Sequence, residues 1–213
     1  MPDWDADSRA LRRNLGQVLR GARDSANRRD TPTVQLARRW QQDAMAGLDA
    51  PDRKRVGLFR GEPGLARVGV RVGPHHGVPP ADVAAALQVF EQKLQRAVHV
   101  LDAAYAHGQA LDEDGLEAVL DLSAWAHAEW VRIHPFANGN GRTARIWANW
   151  TFMRYGVPPV VRLRPRPDGG YGRAGAVAML GDSRPTAAVF RKMLSDLSPR
   201  GARERRGAKS DER

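Results

Sequence analysis

Apolar side chains recur every three to four residues along most of the chain, which is the spacing of one face of an α-helix. The second apolar stripe follows Thr31-Pro32, a capping residue before proline, which predicts a helix start there. The stripes together predict an all-α fold with helices over residues 9–29, 31–48, 79–107, 113–130, 142–155, 171–180 and 185–197.

One segment, residues 57–80, departs from the helical spacing. Here three valines alternate with other residue types, in the period of a β-strand: Val68, Val70 and Val72. The turn-forming residues 73–77 follow, and Val78 is placed to begin a return strand. The pattern fits a small exposed β-hairpin, and on periodicity alone an irregular loop between two helices fits equally well.

Length and composition favour one globular domain with short additions, since the chain has 213 residues of which 42% are hydrophobic. We predict an N-terminal helical extension over residues 1–54, a main domain over 55–197 and a basic, disordered tail over 198–213. No apolar run approaches the roughly 20 residues that span a bilayer. The acidic N-terminus does not resemble a signal peptide either, so we expect a cytoplasmic protein without a membrane partner.

The formal net charge of +10 is compatible with a phosphate-bearing partner of any kind. Nucleic acid is a disfavoured partner, because the element patterns of known nucleic-acid-binding folds are missing. The chain has no cysteine, which excludes a thiolate nucleophile and a zinc–thiolate site.

The candidate chemistry lies between the fourth and fifth predicted helices, in the segment HPFANGNGRTAR that runs from His134 to Arg145. Gly139 and Gly141 allow a ligand to approach the backbone closely, and amide groups at a helix N-terminus favour an anion. Arg142 and Arg145 are three residues apart and therefore share a helix face, where their guanidinium groups suit phosphate oxygens. The segment predicts a polyphosphate site.

A histidine and an asparagine in the same segment add possible catalytic roles. An imidazole with an unperturbed pKa of about 6.5 can accept a proton from a hydroxyl at neutral pH, which makes His134 a candidate general base. Asn138 offers an uncharged oxygen ligand for Mg²⁺. The neighbouring Ile133 and Phe136 are expected to anchor the loop in the core.

The whole segment resembles the Fic family signature, HPFx(D/E)GNGRxxR, at every specified position but one. The resemblance extends over about residues 55–197, including Phe59-Arg60 upstream and Gly181-Asp182 downstream. It implies an all-α, Fic-type helical bundle with a small β-hairpin flap near the active site.

The resemblance also implies an activity, because Fic enzymes typically transfer AMP from ATP to a Ser, Thr or Tyr hydroxyl of a target protein. His134 would then deprotonate that hydroxyl. Arg142 would hold the β- and γ-phosphates, and Arg145 would contact the terminal phosphate. The anion hole would be formed by Gly139, Asn140 and Gly141. The flap that holds the target protein as an added strand would comprise Arg67, Val68, Gly69, Val70, Arg71, Val72 and Gly73.

Two departures from the family pattern lead to further expectations. Asn138 replaces the usual Asp or Glu ligand of Mg²⁺, so we expect an active enzyme with weakened metal affinity. The inhibitory sequence (S/T)xxxE(G/N) of many relatives is missing from the printed chain. We therefore expect a separate antitoxin to supply it, which would make this chain the toxin of a toxin–antitoxin pair.

Alternative functions remain open from the sequence. A related branch of the family transfers the γ-phosphate as a kinase, and other relatives transfer UMP or phosphocholine. Gly141 stands where the kinase branch usually has lysine, which favours nucleotidyl transfer. A non-catalytic nucleotide-binding or nucleic-acid-binding protein is the alternative from another class, although such a protein has no need of a base at His134.

Overall fold

The computed structural model describes residues 8–50 and 52–197, so the predicted disordered tail lies outside the described residues. Its helices are α1 (Arg9–Asn27), α2 (Val34–Met45), α3 (Val83–Ala104), α4 (Glu113–Ile133), α5 (Asn140–Arg154), α6 (Tyr171–Ala178) and α7 (Arg184–Leu197). Two short strands, β1 (Arg71–Val72) and β2 (His75–His76), form an antiparallel hairpin. The predicted all-α bundle with a small hairpin is confirmed. No helix within 8–50 or 52–197 is long and apolar enough to cross a membrane.

The start of α2 differs from the prediction, which placed it at Thr31-Pro32. Thr33 is the N-cap residue, and its side chain makes no capping hydrogen bond. The free amide of Val34 instead donates to the Glu91 carboxylate of α3, at 2.6 Å. A capping group 57 residues away along the chain leaves no local signal, so the helix start could not be predicted from neighbouring residues.

The hairpin is present, but its strands are shorter and lie later in the chain than predicted. Arg67 to Val70 are not in a strand, and β1 contains only Arg71 and Val72. The chain turns at Gly73-Pro74 and returns through His75 and His76, which the prediction had assigned to the turn. Val78 is not in a strand either. The reason is tertiary: the carbonyl groups of Val68 and Val78 accept hydrogen bonds from the Arg60 side chain rather than from a partner strand.

The core is built around α4 and α5, which carry three tryptophans with no exposed surface: Trp130, Trp147 and Trp150. Phe90 of α3 packs edge-on against two of these rings. The fourth tryptophan of these helices, Trp125, stacks on Phe90 with ring centroids 5.5 Å apart. These four tryptophans therefore pack against one another and against Phe90 in the core.

The first two helices belong to the same core as the rest of the bundle. The Trp40 ring of α2 lies 4.7 Å from the Trp147 ring of α5, and the indole of Trp150 donates to the Ser25 hydroxyl of α1. The N-terminal helices and the region of the family resemblance, about residues 55–197, are therefore packed as one unit.

A buried arginine joins the hairpin to the C-terminal end of α4. Arg60 is 1% exposed, and its guanidinium donates to four backbone carbonyl groups: those of Val68, Val78, Ile133 and His134, at 2.7–3.2 Å. The first two carbonyls flank the hairpin, and the last two end α4. A single side chain therefore fixes the hairpin against the helix that carries the candidate base.

Replacing this arginine should destabilise the fold strongly. In Arg60→Met, one buried and three partly buried carbonyl groups lose their donor, and a buried group left unsatisfied costs about 1–3 kcal/mol. We expect the free energy of unfolding, measured by urea denaturation, to fall by about 3 kcal/mol or more. Arg67→Met, at an exposed position of the same segment, is the matched control. Equal stabilities of the two variants would contradict the role assigned to Arg60.

Candidate active site

We call the loop between α4 and α5, residues 134–139, the functional loop. It begins at a residue with an unusual backbone conformation. His134 is the C-cap residue and has φ 54° and ψ 55°, in the left-handed region that non-glycine residues seldom adopt. The loop after it is held by an isolated antiparallel bridge between Phe59 and Phe136, and by a hydrogen bond from the Arg60 amide to Pro135 O. Ile133 and Phe136 have no exposed surface, so their predicted anchoring role is confirmed.

The His134 ring is held in a state suited to a base. Its Nδ1 lies 2.9 Å from the carbonyl oxygen of Val131, which can only accept, so Nδ1 carries the proton and Nε2 carries the free lone pair. Burial lowers the pKa of His134, and the nearby charge of Arg60 lowers it further. The imidazole is therefore neutral at pH 7, as proton abstraction by Nε2 requires.

The start of α5 combines a side-chain clamp with amide groups that no side chain caps. The Asn140 side chain accepts from the Phe136 amide and donates to the Phe136 carbonyl, each at 2.8 Å, which closes the loop on itself. Gly139 is the N-cap with φ 90°, a conformation suited to glycine, and it supplies no capping side chain. The first amides of α5 are therefore not used by a side-chain cap and can face an anion.

The two arginines of the segment are both buried, but their side chains diverge. Arg142 donates to the Asn138 side-chain oxygen at 2.8 Å and reaches the sulfur of Met45 in α2. Arg145 extends to the other side, where it donates to Leu163 O at 2.9 Å and contacts the Tyr171 hydroxyl at 3.4 Å. The three-residue spacing that predicted a shared face thus places the two guanidinium groups in different surroundings.

A cavity of about 370 Å³ lies between the hairpin and helices α4, α5 and α6. It brings together the candidate base His134, Gly141 and Arg145 from the predicted site residues, with Val72 and Gly73 of the hairpin. The remaining predicted residues of the loop, Asn138, Gly139, Asn140 and Arg142, lie outside its lining, as do the hairpin positions Arg67, Val68, Gly69, Val70 and Arg71.

Three residues with polar side chains line the cavity and are not among the predicted site residues: His127, Arg166 and Tyr171. The His127 Nε2 atom lies 2.6 Å from the Tyr171 hydroxyl, and the Arg166 guanidinium lies over the Tyr171 ring at 5.6 Å. Seen in the sequence, His127 is one polar residue in a helix, and the other two lie beyond the recognised segment. Only the fold brings them to the cavity.

The described residues do not fit a magnesium site. Asn138 Oδ1, the predicted ligand, accepts a hydrogen bond from the cationic guanidinium of Arg142. Over residues 8–50 and 52–197, no group of three or more His, Asp or Glu side chains is arranged to hold a metal ion. A single neutral oxygen that faces a cation is a poor ligand for a divalent metal.

Comparison with known proteins places these features in a family. A sequence model of the Fic/DOC family matches residues 31–152, which include α2 to α4 and most of α5. This match covers more than half of the chain, and it contains the entire segment from His134 to Arg145.

Curated relatives carry the name protein adenylyltransferase Fic. The proteins of Drosophila persimilis and Drosophila melanogaster are each 37% identical to this chain over 92 residues, which is 43% of the chain. The matched region is 15% of the first protein's length and 16% of the second's, so the chain corresponds to a small part of these relatives.

Solved structures show the same fold. Fic-1 from C. elegans superposes with a TM-score of 0.62 at 24% identity, covering 94% of this chain and 51% of that one. A Fic domain-containing signaling protein from Bacteroides thetaiotaomicron superposes with a TM-score of 0.57 at 19% identity, covering 87% of this chain and 69% of that one.

The buried His127 should make the stability of the fold depend on pH. Burial, followed by the charges of Arg145 and Arg166, lowers the pKa of His127 to about 3. An unfolded imidazole has a pKa of about 6.5, so between these values the unfolded chain binds one more proton than the folded chain. The contribution of this group is therefore complete above about pH 6.5 and is lost as the pH falls.

His127→Gln removes this titration, and the comparison isolates it. Between about pH 7.5 and about pH 5, we expect the wild type to lose about 2 kcal/mol more unfolding free energy than the variant. Urea denaturation at each pH measures the difference. His99→Gln, at an exposed position of α3, is the matched control. The same pH dependence in the wild type and His127→Gln would contradict the prediction.

Proposed function

The chain belongs to the Fic/DOC family, and from this premise we propose that it is a protein adenylyltransferase, which transfers AMP from ATP to a Ser, Thr or Tyr hydroxyl of a target protein. The names of the curated relatives support this activity. The observation in the structure that best supports it is the burial of Arg145 in the cavity wall without a carboxylate partner in the described part of the chain.

Arg145 is a buried cation with unused hydrogen-bonding capacity. Its side chain is part of a residue only 5% exposed, its Nε has no partner, and only the Leu163 carbonyl is bonded to it at a short distance. None of the carboxylates in the described part of the chain forms an ion pair with it. Burial of an arginine without a counter-charge is costly, and an anion in the adjoining cavity would offset that cost.

The other phosphate contacts in this proposal come from the start of α5. The amides of Gly139, Asn140 and Gly141 would surround the phosphates, assisted by the positive end of the helix dipole. Arg142 would exchange its hydrogen bond to Asn138 for phosphate oxygens. Arg145 would contact the terminal phosphate from the cavity side. Catalysis then consists mainly of positioning and charge stabilisation.

His134 supplies the proton transfer in this proposal. The target hydroxyl gives its proton to Nε2 while its oxygen forms a bond to the α-phosphorus of ATP. The bond between the α-phosphorus and the oxygen that bridges it to the β-phosphate breaks, and pyrophosphate leaves. The hydrogen bond of Nδ1 to Val131 O keeps the ring oriented and stabilises the imidazolium that forms.

The hairpin is the proposed docking site of the target protein. Val72 and Gly73 line the cavity that contains His134, so a segment paired with β1 would pass close to the base. In the described sheet β1 has β2 as its single neighbour, which leaves its other edge available for strand addition. Main-chain pairing demands little of the target sequence. Regulation by a separate antitoxin stays a prediction.

Radiolabelled ATP tests the proposed reaction against its alternatives. Incubation of the protein with a cell lysate should transfer label to protein from α-labelled ATP and not from γ-labelled ATP. Transfer from the γ position alone would mean that the protein is a kinase. Transfer from neither would contradict ATP-dependent modification and favour another donor or a non-catalytic binder.

His134→Ala is the catalytic control for that experiment. Loss of the general base should lower the transfer rate by about 100-fold or more. His76→Ala, an exposed histidine of the hairpin, controls for loss of an imidazole elsewhere in the same region. Undiminished transfer by His134→Ala would contradict the proposed base.

Asn138→Asp tests the expectation about magnesium. A carboxylate adds a charged oxygen ligand where the native amide oxygen is neutral and bonded to Arg142. We expect the Mg²⁺ concentration for half-maximal transfer to fall roughly tenfold in the variant, equivalent to about 1.4 kcal/mol. Magnesium titration of both purified proteins measures it. Equal half-saturation values would contradict the prediction.

A further inference from the structure

The cavity wall contains a chain of hydrogen-bonding groups outside the recognised segment. The Arg145 guanidinium reaches the Tyr171 hydroxyl at 3.4 Å, and the same hydroxyl lies 2.6 Å from His127 Nε2. All three residues are at most 5% exposed. The rings of Tyr171 and Phe190 pack edge-on against the His127 ring and confine it.

The order of protons along this chain follows from the chemistry of its ends. An arginine can only donate, so the oxygen of Tyr171 accepts from Arg145. The positive charges of Arg145 and Arg166 favour a lone pair rather than an N–H on the nearest imidazole nitrogen. The Tyr171 hydroxyl therefore donates to Nε2 of a neutral His127, and the ring proton lies on His127 Nδ1, a buried atom without a hydrogen-bond partner among the described residues.

We propose that His127 is a positioning residue for Arg145, acting through the hydroxyl of Tyr171. By accepting the hydroxyl proton, the imidazole turns an oxygen lone pair of Tyr171 toward the guanidinium. Arg145 is thereby held between Leu163 O and Tyr171 in the wall of the cavity. The neutral ring also avoids placing a third positive charge beside two arginines.

The proposal deepens the proposed function, because it rests on Arg145 as a ligand of the terminal phosphate. The proposal predicts a loss of affinity that is selective for one class of nucleotide. Disturbing His127 should weaken the binding of a triphosphate more than that of a monophosphate, which does not extend to Arg145. A general loosening of the bundle would weaken the binding of both nucleotides alike.

Binding of ATP and AMP to four variants tests this selectivity by calorimetry. His127→Phe and Tyr171→Phe should each weaken ATP about five- to tenfold, the equivalent of one net hydrogen bond, and leave AMP nearly unchanged. The double variant should bind ATP no more weakly than Tyr171→Phe alone, since both changes interrupt one chain. His127→Gln, whose side-chain oxygen can accept from Tyr171, should recover most of the affinity.

The matched control is Tyr105→Phe. It also removes a tyrosine hydroxyl from a hydrogen bond, here to Asp112, outside the cavity. Its affinities for both nucleotides should equal those of the wild type. Equal losses of ATP and AMP affinity in His127→Phe, or additive losses in the double variant, would overturn the proposal.

Nitrogen NMR of the unliganded protein separates this proposal from the proposed function. The ring nitrogens of His127 should show the neutral form with the proton on Nδ1. The Arg145 Nε–H signal should be sharp in the wild type and broadened in His127→Phe. A proton on Nε2, or an unchanged Arg145 signal, would overturn the positioning role. Failure of the wild type to bind ATP, with these signals as expected, would contradict the proposed function alone.

Discussion

The placement of the candidate base depends on the contact between Arg60 and the end of α4. The carbonyl groups of Ile133 and His134 lie at the negative end of the helix dipole, where a buried cation is most stable. Because the same guanidinium also holds the carbonyls of Val68 and Val78, it fixes the hairpin and the base relative to each other. The left-handed backbone at His134 persists because these contacts determine it.

Two buried arginines differ in how far the fold satisfies their hydrogen-bond donors. Arg60 satisfies its donors with four carbonyl oxygens, so its desolvation is compensated within the fold. Arg145 has one short hydrogen bond, one long contact and an unpartnered Nε beside a cavity. The first arrangement is complete without a ligand, whereas the second leaves part of the guanidinium without a partner in the described part of the fold. The net charge of the chain carries no such information, because it counts both residues equally.

The helices and the functional loop could be predicted from sequence because their determinants are local. Apolar periodicity fixed the order of the helices, and the loop carries its base, glycines and arginines within 12 residues. The missed features depend on contacts across long stretches of chain. Glu91 caps α2, and Arg60 donates to one carbonyl in each of the two predicted strands. The hydrogen bond between Tyr171 and His127 joins residues that are 44 positions apart in the chain.

The second helix contacts the loop directly, and the family match, which begins at residue 31, includes this helix. Gln41 of α2 is 3% exposed; its oxygen accepts from the Gly57 amide, and its nitrogen donates to Asn138 O. Met45, one turn later, contacts Arg142. The loop and the start of α5 are therefore held from two sides, by α2 on the side of Arg142 and by α6 on the side of Arg145. Because α2 contacts Arg142 and contributes no residue to the cavity lining, a change in the packing of α2 would act on Arg142 more directly than on Arg145.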